Sequence, residues 1–142
     1  LAFRAGADWV SVLGVAADVT VRGVIEAAGD AGGRVMVDLI GCPDIPGRAA
    51  DLLRLGADVI CVHTAFDRQP SGAHPLDELS QLLEVTPSDR AAVAGGIRPE
   101  TLPQVRELAP RIVIVGSYLA DHSRPREAAI EMNELLMGER VP

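Results

Sequence analysis

Five short apolar segments, each followed by a stretch with helical spacing, set the strongest constraint on the fold of this chain. The segments are residues 9–13, 35–40, 59–62, 91–94 and 112–115. They are rich in Val, Ile and Ala, which is typical of strands buried on both faces of a parallel sheet. Strands that alternate with helices at this spacing predict βαβ units. We therefore expect an α/β fold, and a single domain over residues 1–142 because no linker or low-complexity segment divides the chain.

The helical stretches are bounded by Gly and Pro. Helices are predicted over residues 19–28, 45–55, 75–83, 102–108 and 124–137, with residues 1–5 as the last turn of another helix. Gly6 is expected to end that turn, and Pro99 and Glu100 are expected to open a helix directly after a pair of glycines. The triplet Gly-Ala-Asp precedes two of the strands, at Gly6 and at Gly56. This echo favours a barrel built from similar units.

The number of strands leaves two architectures open. A (β/α)₈ barrel has eight strands and typically ~200–250 residues, whereas this chain has 142 residues and five predicted strands. Five strands in an open sheet would leave two exposed edges. We expect either a smaller open sheet or a partial TIM (β/α)₈ barrel that consists of strands 4 to 8 with their helices. Residue 1 is Leu within a helical pattern, so the natural start, with strands 1 to 3, is expected upstream.

Composition excludes several classes of partner. The formal net charge is −7, all 13 basic residues are Arg, and they form no cluster. Nucleic acid is therefore not an expected partner. No uninterrupted run of about 18 apolar residues is present, so no membrane span is expected. Cys42 and Cys61 give no disulfide framework, which favours a reducing, cytoplasmic location.

Glycines follow two of the predicted strands. Gly95 and Gly96 come after the fourth strand, and Gly116 and Ser117 come after the fifth. Glycine lets backbone N–H groups approach an anion closely, and phosphate sites in parallel barrels commonly lie in the loops after the last two strands. We therefore predict a phosphate-binding site here, with ordinary strand-to-helix turns as the alternative. Arg98 either binds the phosphate or is a solvated residue at a helix start.

Two titratable side chains lie at the carboxyl ends of neighbouring strands. Asp38 is surrounded by apolar strand residues, and a carboxylate in such a position must be paired, hydrogen-bonded or bound to a metal. His63 directly follows the next strand, where it can donate to a substrate oxygen or act as an acid or base. Because parallel folds keep their sites at this end of the sheet, both are candidate catalytic residues. The alternatives are an Asp that caps a turn and a His that is merely part of a loop.

Other residues near the strand ends carry weaker signals. Gly14, Thr64 and Asp67 are possible substrate-site residues, although Asp67 could equally cap the following loop. Asp18 and Thr20 could face the site, but helix N-capping is the favoured interpretation for Asp18. The remaining His and Cys residues show no metal-ligand spacing.

Taken in order, these segments resemble one family. The segments are residues 6–16, 35–40, 62–67, 93–97 and 114–116. They are similar to the 3-hexulose-6-phosphate synthase family, which belongs to the orotidine 5′-monophosphate decarboxylase suprafamily of ribulose-phosphate-binding (β/α)₈ barrels, alongside 3-keto-L-gulonate 6-phosphate decarboxylase. The resemblance covers nearly the whole chain, and five segments in the right order are more specific than any one of them.

The resemblance implies an aldehyde-lyase that uses Mg²⁺. Such an enzyme joins formaldehyde to D-ribulose 5-phosphate through an enediolate, and the metal would neutralise the developing charge. By this resemblance Asp38 matches an acidic position and is a weak candidate metal ligand, and His63 matches a His near the enediolate. The phosphate-binding turns match Gly95, Gly96, Gly116 and Ser117. A sugar-phosphate substrate and a homodimer are likewise implied by the family.

The chain departs from the family pattern at several points. Phe66 stands where the gulonate decarboxylases have Arg, which favours the synthase, and Ser117 stands where the family often has Gly or Arg. The family's Asp-x-Lys-x-x-Asp motif is absent because the sequence contains no Lys, and it should lie just upstream of Leu1. We therefore expect the 142-residue chain to be inactive alone. The alternatives are a gulonate-decarboxylase-like enzyme, another sugar-phosphate barrel such as an epimerase, and a non-catalytic remnant that binds sugar phosphates.

Overall fold

The computed structural model describes residues 1–64 and 74–138 and contains a five-stranded, fully parallel sheet. The strands lie side by side in chain order and are β1 (Trp9–Leu13), β2 (Arg34–Asp38), β3 (Val59–His63), β4 (Ala91–Ala94) and β5 (Ile112–Ile114). The helices are α1 (Asp18–Ala31), α2 (Ile45–Leu55), α3 (Pro75–Leu83), α4 (Leu102–Leu108), α5 (Ser117–Ala120) and α6 (Pro125–Met137). The predicted α/β fold with a parallel sheet is confirmed.

Several helix boundaries differ from the prediction, and two of these differences have a local cause: a later glycine ends α1, and a turn precedes α4. Helix α1 continues past Gly29 to Ala31 and ends at Gly32, whose φ is +67°. Pro99 and Glu100 do not open a helix. The carbonyl of Arg98 instead accepts the N–H of Thr101 at 3.0 Å, which closes a turn before α4 begins.

The other differences are short helical elements and shifted ends of β2, β3, β5 and α6, with His63 inside β3 and not directly after it. The first residues form a 3₁₀ turn, Phe3–Ala5, which ends at Gly6 as expected. The four-residue helix α5 and a 3₁₀ turn at Ser88–Arg90 were not predicted. Elements this short carry too few residues to show an apolar period in the sequence.

One face of the sheet is covered by helices. Side chains alternate across a strand, so Val35 and Val37 of β2, Ile60 of β3 and Val93 of β4 share this face, and all are fully buried. The buried residues of the helices pack into the same cluster, with Leu52 of α2 among its largest members. Among the described helices, none is long and apolar enough to cross a membrane.

The opposite face, which we call the inner face, has a different lining. Its buried cluster consists of Val59, Cys61, Ala92 and Ala94, with Trp9, Met36, Ile112 and Ile114 packed against it. Every one of these residues belongs to a strand, and none belongs to a helix. The same alternation places Asp38 and His63 on the inner face, at the carboxyl ends of β2 and β3. The fold therefore keeps helix packing on one side and polar strand ends on the other.

Candidate active site

A cavity of about 360 Å³ lies at the carboxyl ends of β2 to β5. Most of the predicted site residues line it together. The lining residues are Asp38, His63, Thr64, Ala94, Gly95, Gly96, Ile97, Ile114, Gly116 and Ser117. Residues from four different strand ends thus meet in one space, as expected for a parallel sheet. The apolar members of the lining were not predicted, although Ala94 and Ile114 lie side by side as the last residues of β4 and β5.

The polar centre of the cavity is a hydrogen-bonded pair. His63 Nδ1 lies 2.9 Å from Asp38 Oδ2, and Asp38 Oδ1 accepts the N–H of Ile40 at 2.9 Å. Both side chains are partly exposed, at 35% for His63 and 20% for Asp38. An ionised Asp38 can only accept hydrogen bonds, so Nδ1 carries the proton in this contact and Nε2 is left to exchange a proton with a ligand. The pair has the geometry of an oriented acid or base.

Two turns, which we call the glycine turns, form another side of the cavity. Gly95 and Gly96 have φ values of +88° and +66°, so both adopt the left-handed conformation that favours glycine. A Cβ atom on Gly95 would lie 2.2 Å from the carbonyl oxygen of Thr64. Gly116 and Ser117 form the second turn, and α5 begins at Ser117. Both the backbone angle and the contact with Thr64 therefore require glycine at position 95.

Thr64 lines the cavity, but its hydroxyl points to a helix. Its Oγ1 donates to Glu78 Oε2 at 2.7 Å, and its N–H donates to the carbonyl of Ala94 at 3.2 Å. Both side chains are buried, with 1% of Thr64 and 8% of Glu78 exposed. Glu78 was not predicted as a site residue. The available signal was its position on the apolar face of α3, beside Leu79 and Leu82.

Gly14 and Asp18 do not line the cavity that contains the Asp38–His63 pair. Gly14 lines a separate cavity of about 550 Å³, and its N–H donates to the carbonyl of Asp38 at 2.7 Å. The prediction that Asp18 caps α1 is wrong. Ala17 occupies the cap position without a side-chain hydrogen bond, and Asp18 is the first helical residue. Its carboxylate lies 2.6 Å from Arg48 Nη1, so it is used for an ion pair.

Arg48 of α2 holds the loop between β1 and α1, which borders the larger cavity, against helix α2. Its guanidinium donates to the carbonyl of Gly14 at 2.7 Å and to the carbonyl of Ala16 at 3.1 Å, in addition to its contact with Asp18. Sequence reasoning missed this residue. A charged side chain between the apolar positions Ile45 and Leu52 of α2 was the only signal in the sequence.

Among the described residues, the cavity lining offers a magnesium ion one carboxylate, that of Asp38. Mg²⁺ prefers oxygen ligands in octahedral geometry. Within residues 1–64 and 74–138, no group of three or more His, Cys, Asp or Glu side chains could hold a metal ion. Both carboxylate oxygens of Asp38 already accept hydrogen bonds. Asp67 and Phe66 lie outside the described residues.

Both cysteines are buried and carry thiols that resist ionisation. Burial, together with the smaller effect of the nearby charge of Asp38, raises the pKa of Cys61 to about 12. Burial also raises the pKa of Cys42, while the positive charge of Arg48 opposes that change. The Cys61 thiol donates to the carbonyl of Val62 at 3.3 Å. The thiolate is the nucleophilic form, so neither residue is suited to nucleophilic chemistry.

We expect both thiols to react slowly with an aromatic disulfide reagent in the native protein and rapidly in denaturant, with Cys61 the slower.

The pH dependence of stability follows from the same residue. In the unfolded chain the pKa of Cys61 is near its ordinary value of about 8.5, below the folded value of about 12. The contribution of Cys61 to the free energy of unfolding is therefore complete below about pH 8.5 and is lost as the pH rises towards 12. Cys61→Ala should remove that part of the alkaline loss. Rapid labelling of native Cys61 at pH 8 would contradict the prediction.

Comparison with known proteins places this geometry in a family. Residues 1–132 match the model of the orotidine 5′-phosphate decarboxylase / HUMPS family. The chain belongs to that family. The resemblance seen in the sequence is thereby confirmed.

Individual relatives agree with this assignment. The chain is 38% identical over 136 residues to the 3-hexulose-6-phosphate synthase of Bacillus subtilis, with 96% of this chain and 65% of the relative covered. It superposes on the crystal structure of 3-hexulose-6-phosphate synthase from Salmonella typhimurium with a TM-score of 0.89 and 40% identity, covering 97% of this chain and 65% of that one. The 3-keto-L-gulonate-6-phosphate decarboxylase from Vibrio cholerae shares the fold, with a TM-score of 0.79, 24% identity, and 99% and 65% of the two chains covered. The chain thus spans 65% of the length of each of these proteins.

Proposed function

We propose that this chain is the sugar-phosphate-binding part of a 3-hexulose-6-phosphate synthase-like aldehyde-lyase, which adds formaldehyde to D-ribulose 5-phosphate. The observation that carries the proposal is the cavity in which the Asp38–His63 pair faces the two glycine turns. A phosphate held at the turns would leave the carbon chain of the sugar to extend towards the pair. The relatives named as synthases, at 38% and 40% identity, support this choice of reaction.

The proposed chemistry assigns a proton transfer to His63. Removal of a proton from C1 of D-ribulose 5-phosphate gives an enediolate, and its C1 forms the new bond to the formaldehyde carbon. The resulting alkoxide then takes a proton to give D-arabino-3-hexulose 6-phosphate. His63 Nε2 would accept or return a proton, while Asp38 holds Nδ1 at 2.9 Å and stabilises the imidazolium form. The magnesium requirement stays a prediction, and no step is assigned to a metal.

We further propose that β1 to β5 are strands 4 to 8 of a (β/α)₈ barrel. The sheet has β1 and β5 at its edges, and among the described residues the cluster on its inner face consists of strand residues. An inner face of this kind is the packed interior of a barrel when further strands close it. The 65% coverage of the synthases also supports the proposal, since five of eight strands are a similar share. A homodimer and a cytoplasmic location remain predictions.

Binding without turnover is the specific expectation for the 142-residue chain, because its sequence contains no Lys. D-ribulose 5-phosphate should bind and shift the imidazole NMR signals of His63, while those of His74 stay unchanged. His74 is a suitable internal control because it caps α3 through the N–H of Leu76. Asp38→Asn should reduce the His63 shift, since an amide cannot stabilise a positive imidazolium as a carboxylate does.

Two results would each contradict one part of this proposal. A His63 signal that stays unchanged at saturating D-ribulose 5-phosphate would remove the sugar from the Asp38–His63 pair. Formation of hexulose 6-phosphate by the chain alone would instead refute the expected inactivity and leave the proposed reaction standing. The decarboxylase alternative is tested with 3-keto-L-gulonate 6-phosphate in the same binding assay.

A further inference from the structure

A second, smaller cavity shares Ser117 with the candidate active site. Its volume is about 230 Å³, and it is lined by Arg98, Ser117, Tyr118, Asp121 and His122. Ser117 is one of the glycine-turn residues and therefore faces both spaces. The glycine turns and the smaller cavity are therefore adjacent, and a ligand group at the turns would lie next to the smaller cavity.

Arg98 combines a fixed backbone with a guanidinium that has no hydrogen-bond or ion-pair partner among residues 1–64 and 74–138. Its N–H donates to Thr101 Oγ1 at 3.1 Å, and its carbonyl accepts from Thr101 Oγ1 at 2.9 Å and from the N–H of Leu102 at 3.2 Å. Within the described part of the chain, its guanidinium forms no hydrogen bond or ion pair, even with Asp121 of the same cavity. The starting point of the side chain is thus set, and its charge is available to a ligand.

The charges around the two cavities make this arginine distinctive. The chain carries a formal charge of −7, and two of its acidic residues, Asp38 and Asp121, line the walls of these cavities. Of the described residues, Arg98 is the one arginine that lines either cavity. Arg48, which lines the larger neighbouring cavity, is already used by two carbonyls and a carboxylate. A doubly charged phosphate in these surroundings needs a cation, and a guanidinium matches its oxygens well.

We propose that Arg98 binds the phosphate group of the substrate from the side of the smaller cavity and sets the preference for phosphorylated over neutral sugars. This inference rests on the proposed sugar-phosphate function and adds a specificity-determining residue to it. The glycine turns supply backbone N–H groups without net charge, and Arg98 supplies the countercharge. Ser117 lies between the two contributions and contacts both spaces.

The test compares two arginines that differ in position and not in charge. Dissociation constants for D-ribulose 5-phosphate, and inhibition constants for inorganic phosphate as a competitor, are measured with the full chain. Arg98→Gln should weaken both by about 10- to 100-fold, the effect of losing a hydrogen bond to a charged group. Arg98→Lys should lie between, because an ammonium keeps the charge and loses the paired donors. The matched control is Arg111→Gln, which removes the same charge just before the amino end of β5, where Arg111 donates to the carbonyl of Asp89.

Each outcome decides the question. A loss of about tenfold or more for Arg98→Gln, with Arg111→Gln within about twofold of the parent chain, supports the proposal. Equal losses for both variants would mean a general effect of net charge and would overturn it. Unchanged binding by Arg98→Gln would overturn it while the proposed function stands. No binding of D-ribulose 5-phosphate by the parent chain would overturn the proposed function and this inference together.

Discussion

Gly95→Ala is expected to lower the free energy of unfolding by about 2–5 kcal/mol. The left-handed backbone at φ +88° adds about 1–2 kcal/mol of strain for any residue with a Cβ atom. The new methyl group would also lie 2.2 Å from the carbonyl oxygen of Thr64, a backbone atom that cannot rotate away. Forced overlap in a packed region typically adds another ~1–3 kcal/mol. Urea unfolding followed by circular dichroism measures the change.

Gly6→Ala is the matched control for that experiment. Gly6 has a φ of +93°, close to that of Gly95, but a Cβ atom there would meet nothing within 4 Å. Its substitution should therefore show the strain of the backbone angle alone, about 1–2 kcal/mol. Equal losses at the two positions would mean that the contact between the first glycine turn and Thr64 has no energetic weight.

The second large effect is expected at Arg48. Arg48→Ala should lower the free energy of unfolding by about 2–4 kcal/mol, because it leaves the carbonyl of Gly14, a buried residue, without its donor and breaks two charged hydrogen bonds. The contact with Asp18 contributes little of this, since the Asp18 side chain is 58% exposed. Thermal and urea unfolding should show the same ranking.

Two further variants isolate the reason for the Arg48 effect. Arg54→Ala removes an arginine from the same helix, but that side chain is 76% exposed and pairs with Asp51 one turn earlier, so its loss should stay below about 1 kcal/mol. Arg48→Lys keeps the charge and should recover only part of the stability, because one ammonium cannot span the three acceptors that a planar fork reaches. Full recovery with lysine would show that charge alone stabilises the loop between β1 and α1.

The strands of the sheet were predictable because they depend on short, local sequence patterns. Every predicted strand exists, and Trp9–Leu13 and Ala91–Ala94 have the predicted bounds, since buried parallel strands need continuous apolar runs and glycines to end them. The helix Ile45–Leu55 was equally clear, with Pro46 near its start and Gly56 at its end. The start of α4 was not, because the competing turn depends on a hydrogen bond between Arg98 and Thr101 that no period reveals.

The same distinction applies to the candidate site. Asp38, His63 and the glycine turns could be placed together because the carboxyl ends of parallel strands meet at one edge of the sheet. The partners of Thr64 and Asp18 could not, because Glu78 and Arg48 lie on helices and are 14 and 30 residues away along the chain. Contacts of this kind are set by how helices pack on the sheet, and a single sequence carries no direct record of that packing.

The division of the sheet into two faces has a consequence for how such a protein can change. Val37 packs against helices, whereas Asp38, the next residue of the same strand, faces the cavity. Alternate residues of one strand thus serve stability and chemistry. Substitutions confined to the inner-face residues can change the ligand or the reaction while the helices keep their contacts with the other face of the sheet. This is one physical reason why a single fold can support many reactions.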